Sequence, residues 1–384
     1  MSIVKYIGVD DRDIDLFESQ YVVPEGMCYN SYLIEDKDIT IVDTVDPRKT
    51  EEWLLKVKEA LNGRMPKYLI VQHMEPDHSG SIEALTALFP DVTVVASAKA
   101  VQFLGQFNPG KTFKTQIVAE GDSLNIGNNT LKFVGAPMVH WPEVIVTYLE
   151  SEKTLFSADG FGKFGVYDAD PDDWACEARR YYFNICGKYG AQVASLLKKA
   201  STLDIVRICP LHGPILEGEK MAEALRLYTI WSNYEVETPE GVLVAYASIH
   251  GNTKKVAEKF AEILKEKGAK KVAITDLCRD DMAEAIEDAF RMGATVLAAS
   301  SYDASVFPPM FYFLHKLSIK GFRNRRIGII ENGTWAPTAA RTMKEQLEKM
   351  KDLEIVEPTV TIKSAMKDSD IPALENLAAA ILKK

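Results

Sequence analysis

Apolar residues arrive along this chain in short runs, and past the middle the runs settle into a regular alternation. Val242-Leu243-Val244-Ala245-Tyr246 is a continuous apolar run bounded by polar loops, which predicts a buried strand. From Lys255 the apolar positions are Val256, Phe260, Ile263 and Leu264, which is helical spacing, and Gly268 predicts the helix end. Further strand patterns fall at Lys271–Ile274, Thr295–Ala299, Arg326–Ile330 and Glu354–Val360. Helical patterns lie between and after them at Asp281–Met292, Met310–Ile319, Pro337–Met350 and Ile371–Leu382. Strands alternating with helices in this way predict a doubly wound, five-stranded parallel sheet.

The earlier part alternates differently. Strands come in pairs, Ser31–Ile34 with Ile39–Val42, followed by a helix at Thr50–Leu61, a strand at Tyr68–Val71 and a helix after Ser81. More strands are predicted at Val92–Ala96, Lys114–Val118, Leu131–Ala136, Val144–Tyr148 and Thr154–Ser157, then a long helical stretch over Asp173–Ala200. This order predicts two packed sheets flanked by helices. The polar segment Ser232–Gly241, with Pro239 and Gly241, marks the seam, so the domains are expected to cover 1–238 and 239–384.

Composition narrows the function. Hydrophobic residues make up 47% and charged residues 26% of the 384, which excludes a disordered or collagen-like chain. A net charge of −10 argues against nucleic acid and anionic membranes, both of which need a cationic footprint. The five cysteines (Cys28, Cys176, Cys186, Cys209, Cys278) never fall as C-x-x-C, against a disulfide framework, a zinc knuckle or a rubredoxin-type iron site. With no leader-like start and no long apolar run, a cytoplasmic protein is expected.

The most specific local feature is His73-Met74-Glu75-Pro76-Asp77-His78, directly after the strand Tyr68–Val71. In an extended chain residues 73, 75 and 77 would face one cavity, with His78 swinging to an adjacent spot. His140, Asp159 and His212 each follow an apolar strand at its C-terminal end, where such folds place chemistry. Four imidazoles and three carboxylates are enough for two ions with one carboxylate bridging. Three carboxylates without a thiolate resemble carboxylate-rich di-iron sites more than a structural zinc site, although zinc hydrolases also use His and Asp.

A second constellation sits in the later half. The loop Ser248-Ile249-His250-Gly251-Asn252-Thr253 runs straight into a helix and offers hydroxyls, a glycine and helix N-terminal N–H groups to an anion. Ser301-Tyr302-Asp303-Ala304 and Asn332-Gly333-Thr334-Trp335 follow neighbouring strands, and Tyr302 and Trp335 could sandwich a flat ring. Without G-x-G-x-x-G or a Walker lysine in this half, a monophosphate such as FMN fits better than a dinucleotide or ATP. A decoy, Gly160-Phe161-Gly162-Lys163-Phe164-Gly165, matches G-x-G-x-x-G but runs into Val166–Pro171 rather than a helix, and is read as a loop shaped around Asp159. Cys209 is read as buried packing.

Together these residues resemble the flavodiiron protein family, A-type flavoproteins that act as oxygen or nitric oxide reductases, over essentially the whole chain. The resemblance implies a metallo-β-lactamase-like αββα sandwich over 1–238, with Ile41-Val42-Asp43-Thr44 matching that superfamily's strand-end Asp, and a flavodoxin-like FMN domain over 239–384. His-x-Glu-x-Asp-His is the flavodiiron form, whereas hydrolytic members usually carry His where this chain has Glu75. It implies that His73, Glu75, His140 and Asp159 hold one iron, and that Asp77, His78, Asp159 and His212 hold the other. It further implies the minimal class of the family, a head-to-tail homodimer or dimer of dimers, and a donor such as rubredoxin or a reduced deazaflavin. A diferrous pair with reduced FMN would store four electrons, enough for O₂ to two waters or for two NO to N₂O. The rival readings are a zinc-dependent hydrolase with an attached flavodoxin domain, and an electron carrier or redox sensor whose metal half is structural.

Overall fold

The computed structural model describes residues 2–169 and 173–383. Contacts divide the chain into Met1–Thr229 and Ile230–Lys384, a boundary inside the helix Gly218–Ser232 and upstream of the polar seam.

The first unit holds two six-stranded sheets. One runs in the order Val4–Tyr6, Tyr32–Ile34, Thr40–Val42, Tyr68–Val71, Thr93–Ala96, Thr115–Ile117. It is antiparallel as far as Thr40–Val42 and parallel beyond. The other runs Ser123–Asn125, Thr130–Gly135, Ile145–Leu149, Thr154–Phe156, Arg207–Cys209, Leu216–Glu217. The core lies between them: Tyr32, Ile34, Val42, Ile70 and Val95 from the first meet Leu131, Phe133, Ile145, Leu149, Phe156 and Cys209 from the second. Each large apolar side chain buried there contributes about 1.5–3 kcal/mol, and Cys209 is packing, as its apolar neighbours require.

Helix Thr50–Leu61 keeps the bounds its spacing predicts, burying Trp53, Val57 and Leu61 one turn apart. The predicted Asp173–Ala200 helix is broken. Trp174–Ile185 is capped by the Asp173 carboxylate on Cys176 N, and a 3₁₀ turn at Gly187–Tyr189 precedes Gly190–Ala200. Two glycines in four residues, Gly187 and Gly190, weaken the helix at the break.

The second unit is one sheet in the order Lys271–Asp276, Thr238–Ala247, Met292–Tyr302, Arg323–Asn332, Lys351–Ile355, all parallel. In sequence order that is 2-1-3-4-5, the flavodoxin arrangement. The predicted strand Glu354–Val360 is split into Lys351–Ile355 and Val360–Ile362, both paired with Arg323–Asn332. Pro358 lies in the gap and cannot donate to the ladder. Helices Asn252–Glu266 and Ile371–Leu382 cover one face, Val256, Phe260, Leu264, Leu374 and Ile381 clustering with Val244, Val296 and Ile330. Gly268 ends the first of these in the left-handed conformation (φ 92°), while Ala269 N–H and Gly268 N–H close on the carbonyls of Leu264 and Lys265.

Candidate metal centre and cofactor loops

The strand ends at Val71; Glu75 is extended (φ −61°, ψ 140°), and the chain then turns once as the short helix Pro76–Ser79. Pro76 favours that turn because its fixed φ suits a first helical position. Alternation therefore stops at Glu75: Asp77 does not share the cluster of His73 and Glu75, as an extended chain would require, but joins His78 and His212. The turn is held from behind. Thr44 donates to the His78 carbonyl through N–H (2.9 Å) and Oγ1 (2.7 Å). The Asp43 carboxylate accepts from Gln72 N (2.8 Å) and Nε2 (3.0 Å), and burial pushes its pKa up to about 6.

Asp159 is presented by the loop that follows Thr154–Phe156. Ser157 Oγ donates to the Gly160 carbonyl (2.7 Å), and Gly162 N–H donates to the Asp159 carbonyl (3.1 Å). A side chain at Gly162 would press on Tyr181 and His212, with contacts of 3.2 and 3.4 Å from its first carbon, so the G-x-G-x-x-G decoy is a close-approach loop. Asp170–Pro171 of that run lie outside the described residues. His212 is seated by the strand Met27–Tyr29, which pairs with Val9–Asp11, and by Asn30 just after it. Its Nδ1 donates to the Cys28 carbonyl (2.7 Å). The Asn30 amide nitrogen donates to the carbonyls of Pro210 (2.8 Å) and Gly213 (2.7 Å).

The seven predicted side chains come together as two groups, His73–Glu75–His140–Asp159 and Asp77–His78–His212. Asp159 faces both with different oxygens. Its Oδ2 lies 3.2 Å from His73 Nε2 and 3.3 Å from His140 Nε2. Its Oδ1 lies 3.2 Å from His78 Nε2 and 3.7 Å from His212 Nε2. Glu75 Oε2 completes the first group, 3.2 and 3.0 Å from His73 and His140. Asp77 Oδ2 completes the second, 3.2 and 3.3 Å from His78 and His212.

These spacings fit two cations. Ligands bonded at about 2.0–2.2 Å to one ion stand roughly 3.0–3.5 Å from each other. The tautomers fit as well. Glu143 Oε1 receives His73 Nδ1 (2.8 Å), and the Cys28 carbonyl receives His212 Nδ1; both are acceptors only, so the Nε2 lone pairs remain for an ion. Both Asp77 oxygens, Asp159 Oδ1, His78 Nε2 and His212 Nε2 are buried without a hydrogen-bond partner, a cost a bound ion would remove. Without an ion, protons take its place. Burial alone would lower His73, but the Asp159 carboxylate holds its pKa well above the usual imidazole range. Burial pushes Asp77 up to about 7, while the bonds from His140 and His73 overcome burial and hold Glu75 at about 2. Metal binding would expel such protons.

Glu143 was missed by sequence reading. It is a buried acid three residues after His140, opening the apolar strand Ile145–Leu149, and that charge ahead of an apolar run was its only signal. Asn30, between Tyr29 and Ser31, gave none.

The candidate cofactor loops lie at the carboxyl ends of the second unit's strands. Gly251 adopts φ 85° and donates to Ser248 Oγ (3.1 Å), and the helix begins at Asn252. His250 and Asn252 are exposed. Thr253 is buried, with Oγ1 2.8 Å from Ser300 Oγ. Ser301 Oγ accepts from Thr338 N–H (2.8 Å) and Ala339 N–H (3.1 Å), so it braces the start of the helix Ala339–Leu347. Asp303 and Ala304, both left-handed, form the two-residue turn between the paired Tyr302 and Ser305. Asn332 exchanges hydrogen bonds with Ser364 (2.9 and 3.1 Å), Thr334 Oγ1 accepts from Ser364 Oγ (3.0 Å), and a side chain at Gly333 would collide with Pro337. Tyr302 is 44% exposed and Trp335 89%, two aromatic rings offered at the ends of neighbouring strands. An indole left this open suits a binding face, because its apolar area is otherwise wasted on water.

Residues 27–213 match the family model described as ODP family beta lactamase. A putative diflavin flavoprotein of Synechocystis sp. is 32% identical over 279 residues, covering 71% of this chain and 48% of that protein. The anaerobic nitric oxide reductase flavorubredoxin of Escherichia coli is 25% identical over 357 residues, covering 90% of this chain and 74% of that protein. The crystal structure of the flavodiiron protein from Giardia intestinalis superposes with a TM-score of 0.93 at 24% identity, covering 99% of this chain and 94% of that one. Fold and relatives together define an oxidoreductase that joins a β-lactamase-like domain to a flavodoxin-like one. Within that class, the chain belongs to the flavodiiron protein family.

Proposed function

We propose that this protein reduces O₂ to water, NO to N₂O, or both, at a non-haem di-iron centre that receives its electrons from FMN. The observation that carries the reading is the position of Asp159, whose two oxygens face two separate sets of imidazole and carboxylate donors. One iron would be held by His73, Glu75, His140 and Asp159, and the other by Asp77, His78, His212 and Asp159. When bound, the irons and flavin would supply the stored electrons and the open coordination positions that gas reduction needs.

The chain's own residues supply the rest. Glu143 and the Cys28 carbonyl fix the imidazoles of His73 and His212 so that Nε2, not Nδ1, faces the centre. Phe17 packs edge-on to His212 at 5.4 Å and Trp141 edge-on to His73 at 5.2 Å, apolar walls that limit water beside the donors. The loop at Gly251 would hold the FMN phosphate by its N–H groups, and Tyr302 and Trp335 would flank the flavin ring. The same proposal includes a rubredoxin-type donor, in keeping with the name flavorubredoxin borne by a relative, and, separately, a head-to-tail homodimer.

The test is anaerobic: iron, zinc and flavin content per chain, then consumption of O₂ and of NO by the chemically reduced protein. Two irons and one FMN with gas consumption support the proposal. Zinc with ester or thioester hydrolysis, and no gas consumption, would replace it with the hydrolase reading.

A further inference from the structure

We infer that the two halves of the candidate centre hold their ions unequally, the His73 half more tightly than the His212 half, because of what stands behind each imidazole. The inference rests on the two-ion reading above and concerns a difference that reading does not contain. The donors themselves are matched: each half has two imidazoles, one carboxylate of its own and one oxygen of Asp159. The asymmetry begins one bond further out. Behind His73, 2.8 Å from Nδ1, is the carboxylate of Glu143, whose side chain is fully buried. Behind His212, 2.7 Å from Nδ1, is the backbone carbonyl of Cys28.

A carboxylate acceptor makes the imidazole a stronger donor at Nε2 and adds negative charge close to the ion; a carbonyl offers only a dipole. Burial keeps that charge poorly screened. Glu143 is also well fixed. The same Oε1 receives Met74 N–H (2.9 Å), from the residue between His73 and Glu75, and the Glu143 carbonyl receives Ser97 Oγ (2.8 Å). Glu143 thus acts through His73 as a positioning residue. The outcome is one ion held tightly and favoured in its higher charge state, beside one that is released and reduced more readily.

The test uses the iron-loaded holoprotein under anaerobic conditions, with a coloured ferrous chelator reporting release. Two phases of equal amplitude are expected. Glu143→Gln keeps the size and an oxygen that accepts from His73 Nδ1 but removes the charge, so it should speed the slow phase by about 10–100-fold and leave the fast phase unchanged. Glu143→Asp, which keeps the charge, should retain most of the slow phase. Release of both ions in one phase, or acceleration of the fast phase alone by Glu143→Gln, overturns the inference and leaves the two-ion reading standing. A preparation that never holds two ions per chain defeats both. A measurement without a variant covers a misfolded mutant: one equivalent of ⁵⁷Fe added to metal-free protein, followed by one of natural iron, should give a single dominant Mössbauer doublet. Two doublets of equal area overturn the inference.

Discussion

Replacing Asn30 by leucine would loosen the loop that presents His212 while leaving every proposed ligand in place. Asn30 is fully buried, and its amide nitrogen donates to the Pro210 carbonyl at 2.8 Å and the Gly213 carbonyl at 2.7 Å. Leucine has nearly the same volume and no donor. The Gly213 carbonyl would lose that bond in a buried site, at about 1–3 kcal/mol. The Pro210 carbonyl would keep Tyr32 Oη at 2.7 Å, so its loss is smaller, near 1 kcal/mol by the usual worth of one hydrogen bond. Tyr6 Oη would lose its acceptor, Asn30 Oδ1 at 3.1 Å. The sum is about 2–4 kcal/mol of stability in the metal-free protein, read by urea denaturation. Asn30→Asp would be worse near neutral pH, since a carboxylate would point at the same two carbonyls, and it should recover partly in acid as it protonates. Loss of less than about 0.5 kcal/mol in Asn30→Leu, the range of an ordinary surface change, would show that the clasp does not hold the loop, and an Asn30→Asp protein as stable as Asn30→Leu would show the same.

Other outcomes follow from single residues. Glu75→His should lower iron content in elemental analysis, because it replaces a hard anionic ligand that lies 3.0 Å from His140 Nε2; full iron with normal turnover would refute the role given to Glu75. Arg325 is buried, has no ion-pair partner among the described residues and donates to the carbonyls of Tyr234, Glu235 and Phe290, burial holding its pKa down at about 10. Arg325→Met should cost about 3 kcal/mol by removing the buried donor those carbonyls share, seen as an earlier unfolding transition. Asp36 loses some hydration to burial, but the backbone and side-chain N–H groups of Asn128 and Asn129 hold its pKa below the ordinary 3.8. Its contribution is therefore complete above that value and lost as pH falls through the lowered one, so Asp36→Asn should flatten the acid limb of a stability–pH curve. Trp335→Ala should weaken FMN retention, by about 1–3 kcal/mol if the indole stacks on the ring as aromatics stack on bases, measured by recovery of flavin fluorescence on dilution.

The alternation that builds the second unit was legible because each strand and helix is long enough to show its period, and Gly268 closes its helix where the spacing ends. Glu354–Val360 failed as one strand because Pro358, which stands inside it in the sequence, cannot donate to the ladder and splits it. The short pairings Val9–Asp11 with Met27–Tyr29 and Leu16–Phe17 with Tyr21–Val22 were invisible, since two or three residues carry no period. All seven proposed ligands stood out by residue type at strand ends. How they divide did not follow from an extended chain, because the turn at Pro76 sends Asp77 the other way. Glu143, Asn30 and Cys28 act through partners distant in sequence, and the Cys28 contribution to His212 is a backbone carbonyl, which any residue would offer.

The central claim is that Asp159 joins two irons into one electron-accepting pair, and the most direct measurement is the spin state of the half-reduced protein. Electron paramagnetic resonance on iron-loaded protein given one electron per pair should show the signal of a coupled mixed-valence centre, and Asp159→Asn should abolish it. An isolated high-spin ferric signal in the unaltered protein, or no paramagnetic iron at all, would contradict the account.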